Sequence, residues 1–184
     1  MFGHFASEND VTHILGAILA GGQARRFGSD KAHAQFAGMR LIDHVADALA
    51  RQTQGLVVCG RAEPRFTTIA DRPNGTIGPL GGLNAALQYA GANGFSHVLS
   101  AGVDIPNLPD NLLVQLRSER AAIADSQPVV GLWPVELAGQ IDDFITSGGR
   151  ALYRFADAVE ARRVTIQPLL LNINRPEDLA QAQS

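Results

Sequence analysis

At 184 residues, 46% of them hydrophobic and 18% charged, the chain is long enough to bury a full core without metal or disulfide support. A formal net charge of −3 excludes the global positive charge with which nucleic-acid binders attract a phosphate backbone, so an anion must be held by a local site. The single cysteine, Cys59, excludes an intrachain disulfide framework, and no stretch approaches the roughly 20 apolar residues of a membrane span.

The opening segment MFGHFASEND has neither a basic start nor a long apolar run and does not read as a signal peptide, so the expectation is a cytoplasmic protein. Residues 1–12 read as a flexible extension of one domain spanning 1–184. HILGAILA (13–20) is a short apolar run that ends in Gly-Gly and suits a strand buried on both faces. Leu41, Ile42, Val45, Ala46 and Leu49 then recur at helical spacing, with Asp43 and Asp47 on the other side, which predicts an amphipathic helix. GLVVCG (55–60) is a second buried strand. Leu80, Leu83 and Leu87 mark a second helix that starts at Gly-Pro, where proline suits the first turn.

SHVLSAGVDIP (96–106) predicts a third strand ending at Asp104, because Pro106 and Pro109 stop it and start a helix carrying Leu112, Leu113 and Leu116. PVVGLWP (128–134) reads as a further strand, followed by a helix from Pro134 with Leu137, Ile141, Phe144 and Ile145 inward. Gly148 and Gly149 stop that helix. Asp142 and Asp143, on its outer face, read as solvated. Leu152, Phe155 and Val159 predict one more helix. RRVTIQPLLLNINRPEDL (162–179) supplies one or two strands and a short helix from Pro176. Alternating strands and helices predict a three-layer α/β/α fold with a mainly parallel sheet, and ligands bind outside the carboxyl ends of such strands.

The stretch ILAGGQARRFGSDK (18–31) lies at such an end. Its glycines let backbone N–H groups approach a phosphate closely, and Arg25, Arg26 and Lys31 add positive charge, so the candidate ligand is a polyphosphate. The alternative is a glycine turn with solvated cations. Neither the Gly-x-x-x-x-Gly-Lys-Ser/Thr loop nor the Gly-x-Gly-x-x-Gly dinucleotide loop is present. Asp104, at a strand end before Pro106, is either a metal-ligating carboxylate or a turn residue. Asn172 and Asn174 sit two apart, so both amides share one face of an extended segment; the alternative is a pair bonding the turn before Pro176. Gly78, Gly81 and Gly82 either admit a ligand close to the backbone or pack a helix start. The five histidines show no spacing suited to a transition-metal site; His33 reads as packing locally, and Cys59 as a small buried hydrophobe.

Leu19-Ala20-Gly21-Gly22 followed by Arg26, Gly28, Asp30 and Lys31 resembles the LAGG-x-x-x-R-x-G-x-DK signature of the molybdenum cofactor guanylyltransferase family, also described as molybdopterin-guanine dinucleotide biosynthesis protein A. GPLGGLNAAL (78–87), VDIPNLP (103–109), GLWPVEL (131–137) with the later GGR, and NINRPEDL (172–179) are similar to further blocks of that family in the same order. The resemblance covers roughly residues 14 to 180. It implies a Rossmann-like nucleotidyltransferase fold and transfer of GMP from GTP to the terminal phosphate of molybdopterin or the molybdenum cofactor, with release of pyrophosphate. By the same resemblance Leu19, Ala20, Gly21, Gly22, Lys31, Asp71 and Asp104 contact GTP. Arg26, Lys31 and Asp104 serve catalysis, Asp104 binds Mg²⁺, and Asn172 and Asn174 lie near the pterin phosphate. The implied partners are GTP, the pterin and, transiently, cofactor-delivery and acceptor proteins, with no nucleic acid and no membrane.

Two positions depart from the family pattern. An asparagine usual after the second strand is replaced within Val57-Val58-Cys59-Gly60-Arg61, and a histidine before a late proline is replaced by Gln127. Alternative readings are a related nucleotidyltransferase using CTP or a sugar-phosphate acceptor, and a non-catalytic nucleotide-binding regulator.

Overall fold

The computed structural model describes residues 13–21, 31–74, 77–174 and 178; of Lys31 only the backbone is described. In chain order the strands are β1 (Ile14–Leu19), β2 (Gln35–Phe36), β3 (Met39–Arg40), β4 (Gly55–Cys59), β5 (Thr67–Ile69), β6 (His97–Gly102), β7 (Ala122–Ala124), β8 (Gly131–Pro134) and β9 (Arg162–Val164). The helices are α1 (Leu41–Ala50), α2 (Pro79–Ala92), α3 (Leu112–Leu116), α4 (Ala138–Thr146) and α5 (Leu152–Ala158), with 3₁₀ turns at Lys31–His33 and Val135–Leu137.

Seven strands form one sheet in the order β5-β4-β1-β6-β8-β7-β9, while β2 and β3 make a separate small hairpin. Strand β1 pairs in parallel with β4 on one side and β6 on the other, and β4 pairs in parallel with β5. Strand β8 runs antiparallel to both β6 and β7, and β9 returns parallel to β7. The chain leaves β1 toward β4 and later comes back to its other side as β6, so the strand order reverses around β1. Such a reversal opens a crevice at the carboxyl ends of the strands.

Alternation along β1 explains the two cores. Ile14 and Ile18 face one side, where α1 packs Ile42, Val45 and Leu49 and α3 packs Leu112 and Leu116. Leu15, Ala17 and Leu19 face the other, against Leu80, Leu83 and Leu87 of α2, Ile141 of α4 and Phe155 of α5. A strand with apolar residues on both faces requires helices on both faces, and the predicted α/β/α layering is what forms.

Trp133 belongs to the second core, stacked on Phe155 at a centroid distance of 6.0 Å, with its indole N–H donating to Ser100 Oγ at 2.9 Å. Ser100 in turn donates to the Val129 carbonyl at 2.8 Å, so this buried polar pair is satisfied.

The differences from the sequence reading are local. Strand β6 ends at Gly102, and Asp104 occupies the turn beyond it rather than the strand's last position. Only the last part of 128–134 is strand, because residues 128–130 form a turn that brings β8 back antiparallel to β7. Strands β5 and β7 were not predicted; at three residues each they are too short to show a period of two. Of the strands expected over 162–179, one forms. Residues 165–174 run without regular structure, tied down by Gln115 bonding the backbone of Gln167 and by Asn107 bonding Leu169 and Leu171. Of the helix expected from Pro176, only Asp178 is described.

Candidate active site

The end of β1 is where the site residues gather. Leu19 pairs with Cys59 of β4 and with Gly102 of β6, and the Ala20 N–H donates to the Cys59 carbonyl at 3.0 Å, which extends the pairing past the strand. Leu19 and Ala20 are buried, so what they offer outward at this end is backbone. Gly22, Arg25 and Arg26 lie outside the described residues, as does the side chain of Lys31; the Lys31 backbone opens the 3₁₀ turn Lys31–His33.

On the β4 side stands Asp71, two residues beyond β5. Its carboxyl group is walled by glycines. A Cβ on Gly60 would stand 2.5 Å from Asp71 Oδ1 and 2.5 Å from Gly21 Cα, and a Cβ on Gly21 would collide with the same carboxylate. A Cβ on Gly82 would reach 3.4 Å from Asp71 Oδ1 and 3.2 Å from Leu19, and one on Gly81 would meet Asp71 Cβ at 3.4 Å. Gly60 also holds φ +81°, a conformation that side-chain-bearing residues enter only with strain. Gly81 and Gly82 therefore weaken α2 as a helix but let it close on the carboxylate from below. Gly78, at φ +62°, turns the chain into the helix, with nothing near the place its side chain would take.

Asp71 Oδ1 is buried and accepts no hydrogen bond among the described residues. Loss of hydration in this pocket raises the Asp71 pKa above the ordinary carboxylate range. A half-buried carboxylate with an orphaned oxygen is costly for the fold, and a ligand that donates a hydrogen bond there would offset the cost. Cys59 lies beneath, fully buried; burial first, and the neighbouring Asp71 charge second, push its thiol pKa upward, so it is an inert apolar neighbour.

The segment carrying Asp71 is held by groups that the sequence reading assigned elsewhere. The Arg72 N–H donates to the Gly81 carbonyl at 3.0 Å, and the Arg72 carbonyl accepts from Asn84 Nδ2 at 3.2 Å. Asp142, expected to be solvated, accepts from Asn84 Nδ2 at 2.7 Å, from Arg72 Nε and Nη2 at 3.2 and 2.9 Å, and from Gln88 Nε2 at 3.2 Å. The Arg72 hydrogen bond, helped by that of Asn84 and opposed by partial burial, holds Asp142 below the usual carboxylate range.

On the β6 side, Asp104 sits in the turn after the strand, and its carbonyl accepts from the Ile173 N–H at 2.9 Å. That bond lays the end of the irregular segment 165–174 beside the turn after β6, with Asn172 next in the chain to the bonded residue. Asn172 Oδ1 is buried and has no hydrogen-bond partner among the described residues, whereas Asn174 is exposed and donates its backbone N–H to Asp178 Oδ2 at 2.8 Å. Ile173, between them, is buried with Leu41. The two asparagines thus differ in burial: Asn172 Oδ1 is enclosed without a hydrogen-bond partner among the described residues, and the exposed Asn174 has its backbone N–H held by Asp178.

One buried acid has no signal in the sequence. Glu63 is 3% exposed and bonds His33 Nε2 at 2.8 Å and Arg40 Nη1 at 3.2 Å. Burial alone would raise its pKa, but the bonds from His33 and Arg40 outweigh burial and hold it below the ordinary value. Glu63 thereby ties the 3₁₀ turn that begins at Lys31 to the loop leaving β4, so His33, expected to pack locally, instead bonds a residue 30 positions away.

The MobA-like NTP transferase domain family matches residues 16–181. A molybdenum cofactor guanylyltransferase of Rhizobium leguminosarum bv. trifolii is 36% identical over 193 aligned positions, covering 94% of this chain and 92% of the relative. Among solved structures, molybdopterin-guanine dinucleotide biosynthesis protein A from Archaeoglobus fulgidus superposes with a TM-score of 0.73 at 22% identity, covering 92% of this chain and 96% of that one. The 2-C-methyl-D-erythritol 4-phosphate cytidylyltransferase of Thermus thermophilus superposes at 0.69 with 15% identity, covering 92% and 96%, so the architecture is shared with an enzyme of another acceptor. With the fold and an almost end-to-end sequence match in agreement, the chain belongs to the MobA-like NTP transferase family and is a nucleotidyltransferase.

Proposed function

We propose that this protein transfers GMP from GTP to the terminal phosphate of molybdopterin or the molybdenum cofactor, making the guanine dinucleotide form and pyrophosphate. A phosphate oxygen of the pterin forms the new bond to the α-phosphorus of GTP, and the α–β phosphoanhydride bond breaks as pyrophosphate leaves. The nucleophile belongs to the second substrate, so the chemistry requires no serine, cysteine or histidine nucleophile from the protein. What the protein must supply is alignment of two anions and stabilisation of charge in an in-line displacement.

The observation that carries this reading is the Asp71 pocket. Its orphaned acceptor lies at the strand-order reversal, beside backbone that only glycine can form, and accepts a hydrogen bond from the nucleoside part of GTP. The backbone of Leu19, Ala20, Gly21 and Gly22 borders the triphosphate. Lys31 binds phosphate as a point charge, and Arg26 neutralises the triphosphate as the pyrophosphate departs. Asn172 serves the acceptor phosphate and Asn174 shapes the turn that holds it.

The donor set at the β6 end fits Mg²⁺. Asp104 and the orphaned Asn172 Oδ1 are oxygens, and among the described residues no cluster of three or more acids, histidines or cysteines forms a cage of its own. A hard cation that keeps waters and takes its remaining ligands from phosphates suits such a sparse site. Asp104 would hold the ion, whose bound charge would polarise the phosphate oxygens.

Among the described residues no helix is long and apolar enough to cross a membrane. We place the reaction in the cytoplasm, with transient docking of the proteins that deliver the pterin and accept the dinucleotide. The test is incubation of the purified protein with molybdopterin, Mg²⁺ and either GTP or CTP, read by product mass. The guanine dinucleotide with equimolar pyrophosphate is the expected product. Preferential formation of the cytosine dinucleotide would favour the relative's chemistry with another base, and nucleotide binding without product would favour a regulator.

A further inference from the structure

Asp71 is two residues past a three-residue edge strand, and its Oδ1 accepts no hydrogen bond among the described residues. Every polar group of the next residue, Arg72, is nevertheless engaged by helices behind the site. Its N–H goes to Gly81, its carbonyl receives Asn84, and its guanidinium forks onto Asp142. Asn84 is fully buried in the first half of α2, where an asparagine is a poor helix former and costs desolvation unless paired. Its amide bridges the Arg72 carbonyl and the Asp142 carboxylate, so α2, α4 and the Asp71 segment meet in one hydrogen-bonded network. Gln88, one turn on from Asn84, bonds Asp142 and the Ala138 carbonyl and so locks α4 to α2.

We propose that Asn84 and Asp142 are positioning residues for nucleotide binding, acting through Arg72 to hold the Asp71 carboxylate in its glycine-walled pocket. The proposal rests on the reading of Asp71 as a nucleotide contact. The geometry favours a positioning role over general stabilisation. A displacement of Arg72 would move the neighbouring carboxylate, which Gly21 and Gly60 back so closely that neither position has room for a side chain. Asp142 also sits near the surface on α4, where a carboxylate needed only for solubility would have no reason to collect three side-chain partners.

The test is steady-state kinetics of the intact protein with GTP and molybdopterin as separately varied substrates. Asp142→Ala is expected to raise KM for GTP about five- to tenfold, the effect of one ordinary hydrogen bond transmitted to the contact, while leaving KM for molybdopterin unchanged. Asp142→Asn, which keeps an acceptor for Asn84, is expected to restore most of the GTP affinity. In an Asp71→Asn background, Asp142→Ala is expected to add little further, because both substitutions act on one contact. Arg72→Ala, at a half-exposed side chain, is expected to shift KM for GTP in the same direction by a smaller factor.

An unchanged KM for GTP in both Asp142→Ala and Arg72→Ala would overturn the proposal, as would equal rises in the two KM values or full additivity with Asp71→Asn. If Asp71→Asn itself leaves KM for GTP unchanged, the nucleotide role of Asp71 falls and the positioning proposal with it. If Asp71→Asn weakens GTP binding and Asp142→Ala does not, only the positioning proposal falls.

Discussion

The two flanks of β1 are built differently. On the β4 side the chemistry-bearing carboxylate is fixed from the core outward: glycines press against it, and two helices reach its neighbour Arg72 through Asn84 and Asp142. On the β6 side the Asp104 carbonyl takes a described backbone bond from Ile173, in a segment without regular structure that is itself tied down by Asn107 and Gln115. The contrast suits the two tasks proposed for the flanks, nucleoside binding beside β4 and phosphate and cation binding beside β6. A nucleoside is a rigid shape that a preformed pocket can select, and preorganisation there lowers the cost of binding. Phosphates and a hydrated cation bring their own geometry, so their side of the site requires correctly placed oxygens more than a close fit.

Substitutions should separate the flanks by kind as well as by size. Asp104→Asn is expected to give the largest effect, a loss of kcat of about 10²–10³-fold, with GTP binding in the absence of Mg²⁺ left near that of the parent protein. A kcat within a few-fold of the parent would remove Asp104 from the reaction.

Gly60→Ala comes next. The new methyl group would meet both Asp71 and Gly21 at a residue already at φ +81°, so a stability loss of about 1–3 kcal/mol is expected in denaturant unfolding. GTP affinity should fall with it, by roughly tenfold if one charged hydrogen bond is lost. A variant as stable and as tightly binding as the parent would show that the pocket gives more than its geometry implies.

The smallest effect is on stability at Asp71. Its folded pKa is raised, so the ionised form is disfavoured by folding: the penalty is absent below the unfolded carboxylate pKa, near 4, and grows as pH rises through the folded value. Asp71→Asn should therefore raise Tm slightly at neutral pH, with the gain vanishing in acid. A lower Tm at neutral pH would mean that the carboxylate stabilises the empty pocket.

Much of the fold was readable because β1, β4, β6 and α1 carry long apolar patterns whose period is set by burial on one or two faces. Strands β5 and β7 escaped because three residues cannot display a period, and their pairing is decided by neighbours distant in the chain. Gly21 and Asp104 declared themselves by spacing and by family likeness. Asn84, Asp142 and Glu63 did not, since each looks like an ordinary helix or loop polar residue until tertiary structure brings it partners from 12 to 70 positions away. The different burial of Asn172 and Asn174 was hidden for a related reason: their spacing gives them a shared face, but the backbone bonds from Ile173 to Asp104 and from Asn174 to Asp178 are made by groups that spacing does not reveal.

The division of labour across β1 is tested most directly by equilibrium titration of GTP into Asp71→Asn and Asp104→Asn, with and without Mg²⁺. Asp71→Asn is expected to weaken GTP binding about tenfold whether or not Mg²⁺ is present, and Asp104→Asn to bind GTP as the parent does without Mg²⁺ but to lose the effect of adding it. Parent-like GTP affinity in Asp71→Asn, or an Mg²⁺ effect that survives in Asp104→Asn, would contradict the account.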